Sequence, residues 1–309
     1  MTTAPLDPLT PRSWTVGDLV VHLVPETTFS PQTAAWLLPE ATPALVADVD
    51  WLGDPWTDAD HRPRLASQSY ALEVDGQRIL IDAGIGNGKT HDNDAFHNLD
   101  TDFLDRLAQI GFTPQNVDLL LLTHIHADHV GWITRHDGEQ WVPTFPHARH
   151  LTSRTEWDYW ATTDVEPSRR RMLDDSVLPV DQAGLVNLVD LTAGGVQVAP
   201  GVTLIPTPGH TPGHASVRIT SRGQTALVTG DAVHHPVQAA FPDISSCVDV
   251  DSATAARTRR ALLTEALDTD QLLLGTHFPA PGAARVRAAD GSYRLSAQEG
   301  SAKNPNLSE

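Results

Sequence analysis

Apolar residues in this chain fall in short runs that stop abruptly at polar or turn-forming residues, and one segment alone carries a long helical period. VVHLV (20–24) predicts a strand. SYALEV (69–74) and RILIDAG (78–84) flank Asp75-Gly76 and predict a hairpin. TDFLDRLAQI (101–110) has helical spacing, with Thr101 as its N-cap and Gly111 as its stop. VDLLLL (117–122) reads as a buried strand, and residues 154–175, rich in Trp, Arg and Asp, as one or two helices. VTLIPT (202–207), ASVRIT (215–220), TALVTG (225–230) and QLLLGT (271–276) predict further strands, and residues 252–267 the clearest amphipathic helix. The class is α/β with strands dominant. Residues 30–66 and 86–100 read as long loops of the kind that form binding walls or lids. No linker interrupts the pattern, which predicts one domain over 1–309, with a core from about 19 to 286 and a frayed polar tail at 296–309.

Composition narrows the classes. The 309 residues are long enough to bury a sizeable core, and 40% of them are hydrophobic. The formal charge of −18 disfavours a nucleic-acid partner, because such a surface repels phosphate. No apolar run approaches the roughly 18–20 residues of a spanning helix, and MTTAPLDPLTPRSW has no apolar signal core. The expectation is a cytoplasmic protein that binds neither membrane nor nucleic acid. The single cysteine, Cys247, excludes an intrachain disulfide and reads as a small buried residue. Fifteen histidines are many for this length, and they cluster.

The densest cluster ends the most apolar run. In LLLLTHIHADHVGW (119–132), three histidines and an aspartate lie between His124 and His129. His124 and His126 alternate, so an extended backbone points both to one side. One tetrahedral catalytic ion takes about three protein ligands plus water, so this surplus suggests two metals. Matching segments follow: TPGHTPGH (207–214) places His210 in a tight turn after a strand, LVTGDAVHHP (227–236) places Asp231 at a strand end, and LLLGTHFPAPG (272–282) does the same for His277.

This order of motifs resembles the metallo-β-lactamase-fold hydrolases, and within them the branch of methyl parathion hydrolase and N-acyl-homoserine-lactone lactonases. The resemblance runs from about Leu19 to Val286, and the HxHxDH pattern is its most specific part. It implies an αββα sandwich, two mixed sheets with helices on the outer faces and metals at one edge. Carried over, it implies that His124, His126 and His210 bind one metal, that Asp128, His129 and His277 bind a second, and that Asp231 and a hydroxide bridge them. Asp82 would orient a ligand histidine from behind. Two divalent ions bring the pKa of bound water toward neutrality, so no nucleophilic side chain is needed. Asp128 would orient the hydroxide and pass its proton on. A ligand set without thiolate suits Zn²⁺.

Lactonases of this group carry a tyrosine three residues after the bridging aspartate. Here that position is His234, expected either to donate to a developing oxyanion or to line the pocket wall. Trp51, Trp56, Trp157 and Trp160 are expected to wall an apolar pocket, and the arginines at 169–171 to form a solvated helix face. With no basic cluster near the motifs, the expected substrate is a small neutral lactone or ester. A phosphotriester is the alternative, and a β-lactamase-type hydrolase or a non-catalytic metal-binding scaffold stands further off. The expected assembly is a homodimer.

Overall fold

Alternation within the leucine runs decides how the sheets pack. The computed structural model describes residues 7–289 and 291–302. Its first strands are β1 (Arg12–Val16), β2 (Leu19–Thr28), β3 (Ala66–Val74), β4 (Gln77–Ile81), β5 (Leu119–Leu121), β6 (Thr134–His136), β7 (Trp141–Pro143), β8 (Arg149–Ser153) and β9 (Val186–Val189). They are followed by β10 (Val196–Ala199), β11 (Val202–Pro206), β12 (Ala215–Ser221), β13 (Gln224–Val228), β14 (Leu272–Leu274), β15 (Ala283–Ala289), β16 (Ser292–Ala297) and β17 (Ser301–Ala302). Leu119 and Leu121 of β5 face the same core as Leu272 and Leu274 of β14. Leu120 faces a second apolar cluster, and Leu273 a third. Each run is therefore covered on both sides, as a central strand must be.

Among the described residues, one sheet has eight strands in the order β17-β1-β2-β3-β4-β5-β8-β9, and a second has seven in the order β10 through β16. Strands β6 and β7 form a separate ribbon. Both sheets are mixed: β4, β5, β8 and β9 pair in parallel, as do β13 and β14, and the other pairs are antiparallel. The helices are α1 (Pro31–Leu37), α2 (Pro43–Ala47), α3 (Phe103–Gln109), α4 (Ala127–Val130), α5 (Arg154–Thr162), α6 (Pro167–Met172), α7 (Leu178–Gln182), α8 (Val237–Ala240) and α9 (Ser252–Thr269). Phe103 and Leu107 of α3 cover the outer face of the first sheet, and Leu262, Leu263 and Ala266 of α9 that of the second. This is the αββα sandwich the resemblance implies.

Several local expectations are corrected. Residues 30–66 hold two short helices, because Pro31 and Pro43 stand at N1 behind the capping hydroxyls of Ser30 and Thr42. Helix α3 starts behind Asp102, while Thr101 donates to the side chain of Asn87. The core extends past both expected limits. Strand β1 opens it at Arg12, β16 pairs with β15, and Ser301 and Ala302 pair with Ser13 and Arg12. The polar tail is therefore ordered through Ala302; the expectations for residues 1–6 and 303–309 lie outside the described residues. The Asp75-Gly76 turn is as expected, with φ of 50° and 78°. No helix among the described residues is long and apolar enough to cross a membrane.

Candidate metal centre

Strand ends from both sheets deliver the polar cluster to one edge. After β4 comes Asp82, after β5 the segment His124–His129, after β11 His210, after β13 Asp231 and after β14 His277. The Ala215 N–H donates to the carbonyl of Thr123 at 2.9 Å, stitching the sheets together beside these loops. Gly230 must be glycine: its φ is 52°, and a Cβ would lie 2.5 Å from His214 Nε2. That nitrogen accepts the Asp231 N–H at 2.9 Å, fixing the aspartate's backbone.

The structure brings the seven expected ligand side chains together in two groups, His124, His126, His210 and Asp231 in one and Asp128, His129 and His277 in the other. The two oxygens of Asp231 face different groups. Oδ2 lies 3.2 Å from His210 Nε2 and 3.7 Å from His124 Nε2. Oδ1 lies 3.1 Å from His129 Nε2 and 3.2 Å from His277 Nε2. Asp128 completes the second group, 3.5 Å from His277 Nε2 and 3.9 Å from His129 Nε2. Ligand atoms at about 2.1 Å around a tetrahedral ion sit roughly 3.4 Å apart, which matches these spacings. His124 Nε2, His129 Nε2 and Asp231 Oδ1 are buried with no hydrogen-bond partner. Such orphans are costly, and a cation in each group would satisfy them. The donor set fits two divalent metals.

Electrostatics divide the cluster: burial would lower His129 and His277, yet Asp231 beside them raises both. Burial would raise the carboxyl of Asp231, yet His129, His277, His234 and His210 around it hold it well below the usual carboxylate range. Burial, with neighbouring His129, pushes His124 well down and keeps it the neutral base a metal needs.

The clustered histidines are oriented from behind. His129 Nδ1 lies 2.8 Å from Asp82 Oδ2, and Asp82 also accepts from the amide and hydroxyl of Thr123. Asp82 has a φ of 56°, a strained left-handed backbone of the kind that collects at functional sites. His277 Nδ1 lies 2.8 Å from the carbonyl of Ala66. His210 Nδ1 lies 2.8 Å from Asp249 Oδ1, a partner that sequence reasoning missed. Glu156 was missed too. Fully buried, it accepts from the Ile125 amide (2.9 Å) and the Trp160 indole (2.7 Å) at Oε1, and from the Thr211 hydroxyl (2.6 Å) and the Gly213 amide (3.2 Å) at Oε2. It thereby locks the loop of His124 and His126 to the turn of His210.

A cavity of about 1360 Å³ opens over His126, Asp128 and Asp231. None of the four expected tryptophans is among its lining residues. Trp56 is buried edge-on to Phe278, Trp51 packs on the same cluster, Trp157 packs under the first sheet, and Trp160 is tied to Glu156. The apolar wall is instead a ring series: Phe29 lies 5.9 Å from His277, Phe96 lies 5.5 Å from Phe29, and half-exposed Trp36 stands at the mouth. Phe29 follows β2 directly and Phe96 lies in the 86–100 loop, so only the chain's path brings them together. Arg169 is not a freely solvated residue: it lines the cavity and lies over the Trp160 ring, 5.3 Å from its centroid. Cys247 is exposed at the rim rather than buried. His234 is fully buried beneath the centre and does not line the wall.

An αββα sandwich with paired clusters of metal-capable side chains at the shared edge of its sheets is thus defined by geometry alone. The profile of the Metallo-beta-lactamase superfamily matches residues 62–277, a span that contains all seven clustered side chains and well over half of the chain, and the chain belongs to that superfamily. Two curated relatives are N-acyl homoserine lactonases. The one from Bacillus cereus is 27% identical over 177 residues, 53% of this chain and 62% of its own length. AttM of Agrobacterium fabrum is 30% identical over 182 residues, 57% of this chain and 64% of its own. The chain therefore spans less than two thirds of either relative. Among solved structures, AidC, a dizinc quorum-quenching lactonase, superposes with a TM-score of 0.77 at 20% identity, covering 95% of this chain and 99% of AidC. The hydrolase AbOPH superposes with a TM-score of 0.73 at 24% identity and the same coverage. At these identities the likeness speaks to the fold.

Proposed function

We propose that the protein is a dinuclear metal-dependent hydrolase acting on neutral lactones, with N-acyl homoserine lactones the leading class. The observation that carries this reading is the division of Asp231, one oxygen toward each group of ligand side chains, at the floor of a cavity with an aromatic wall. The names of the curated relatives support the substrate class. His124, His126 and His210 would hold one cation, Asp128, His129 and His277 the other, and Asp231 would serve both. Zinc suits these ligands. Bound there, the metals would activate water and polarise the substrate's carbonyl oxygen. The chain's own residues do the rest. Asp82 and Asp249 fix the rings of His129 and His210. Asp128, whose side chain keeps 12% of its surface exposed, faces the cavity and would orient the attacking water and carry its proton toward the leaving group.

The test is elemental analysis of protein purified in zinc, followed by turnover of N-hexanoyl homoserine lactone, an aryl ester, a paraoxon-type triester and a cephalosporin. Close to two metals per chain and a preference for the lactone are expected. One metal or none in folded, metal-replete protein overturns the dinuclear assignment, and preference for the triester moves the substrate class to phosphotriesters.

The aromatic wall makes its own prediction. Phe96 and Phe29 would hold the acyl chain. Full burial of a phenylalanine is worth about 1.5–3 kcal/mol. Phe96→Ala is therefore expected to raise KM for N-hexanoyl homoserine lactone about tenfold while leaving γ-butyrolactone, which has no chain to bind, unchanged. Equal effects on both lactones would show that Phe96 supports the loop rather than the substrate.

A further inference from the structure

His234 stands in GDAVHHP, three residues after Asp231. Its ring is fully buried; Nδ1 meets no protein partner, and Nε2 faces only the carboxylate of Asp231. A buried imidazole with one nitrogen unpartnered and the other given to a single carboxylate is an expense that packing alone does not explain, since phenylalanine would fill the same space without it. The ring has little freedom. It stacks on His277 at 5.6 Å with the planes 7° apart and meets His210 edge-on at 5.0 Å. Its backbone N–H donates to Gln238 Oε1 at 2.7 Å, and Gln238 is itself buried and tied to the Ile244 carbonyl. Held this way, His234 Nε2 lies 3.1 Å from Asp231 Oδ2, the oxygen turned toward His124 and His210. His234 stands outside the two groups of metal-capable atoms and is not among the residues that line the cavity.

We infer that His234 is a positioning residue for the shared carboxylate. Its Nε2–H donates to Asp231 Oδ2 and keeps the carboxylate turned so that its two oxygens address the two metal positions separately. Without that hydrogen bond Asp231 can swing and chelate one position with both oxygens, and the position on the His124 side weakens. This rests on the dinuclear reading above and adds to it the residue that decides how the bridge is shared.

The test compares wild type, His234→Phe and His234→Gln by cobalt binding. Phenylalanine keeps the stack on His277 and removes the donor; glutamine keeps an N–H. Titration of the metal-free proteins with Co²⁺, followed by the visible spectrum and by competition with a chelator, reads each position. Loss of an outer hydrogen-bond partner at a metal site costs about 10–100-fold in affinity. For His234→Phe we expect a drop of that size at one of the two cobalt positions, a changed spectrum at that position, and two cobalt ions still bound at saturation. His234→Gln should recover most of the loss. Turnover should fall in kcat more than in KM, because the ring does not touch substrate. Unchanged affinity and spectrum in His234→Phe would overturn the inference and leave His234 as packing. Saturation of His234→Phe at one ion per chain would also overturn it, making the ring a ligand. A wild type that binds fewer than two ions would instead overturn the dinuclear reading, and the inference with it.

Discussion

Asp231→Ala is expected to abolish lactone turnover and to strip metal from both positions together. In the folded protein Asp231 Oδ1 sits 3.1–3.2 Å from the nitrogens of His129 and His277, and Oδ2 sits 3.1–3.7 Å from those of His124, His210 and His234. Two divalent cations in a buried site repel strongly, and low local polarity leaves that repulsion poorly screened. In the proposed dinuclear site the carboxylate of Asp231 would be the charge that opposes it. Its loss should therefore exceed the roughly 10–100-fold penalty of removing an outer partner, and Asp82→Ala provides that smaller reference within the same protein. Elemental analysis after dialysis, run beside the turnover assay, checks both halves. Retention of two metals with near-normal turnover would mean that the bridge has been assigned to the wrong residue.

Glu156→Ala is expected to cost more stability than any substitution at the ligands themselves. Its carboxylate is the acceptor for four buried donors, from Ile125, Trp160, Thr211 and Gly213. A buried donor left without a partner costs about 1–3 kcal/mol, so the four together amount to a loss on the order of 5 kcal/mol, allowing for relaxation. Most single substitutions cost well under this. Because Glu156 joins the loop of His124 and His126 to the turn of His210, the two halves of the first metal position should also drift apart. Urea denaturation in the presence and absence of zinc measures both effects: the variant should unfold at much lower urea and gain less from zinc than wild type does. A variant with a wild-type midpoint and a wild-type zinc response would show that other contacts hold the two loops.

Residues whose meaning is local were the ones that could be read in the sequence. A run such as LLLL followed by THIHADH states both burial and chemistry in adjacent letters, and the later His210, Asp231 and His277 each end an apolar run in the same way. What escaped is defined by partners far along the chain. Asp249 looks like any turn aspartate until His210 arrives beside it, and Glu156 looks like a helix-surface residue until two loops close over it. The tryptophans misled because large aromatic residues fill cores as readily as pockets. The wall is built from Phe29 and Phe96, which no periodicity links. Prolines misled in residues 30–66, where Pro31 and Pro43 open helices instead of breaking them.

Drawing ligands from both sheets also sets an order of events during synthesis. His124 through His129 leave the ribosome early, but His277, the last member of their group, follows His129 by nearly half the chain. It comes into place only when β14 has lain down beside β13. Contacts so distant in sequence form late in folding. A nascent chain would thus expose a partial, histidine-rich cluster before the second group is complete, open to whatever cation is abundant. With the two groups holding metals as proposed, the choice of metal would be left to exchange in the folded protein, and the cavity that opens over Asp128 would be the way in.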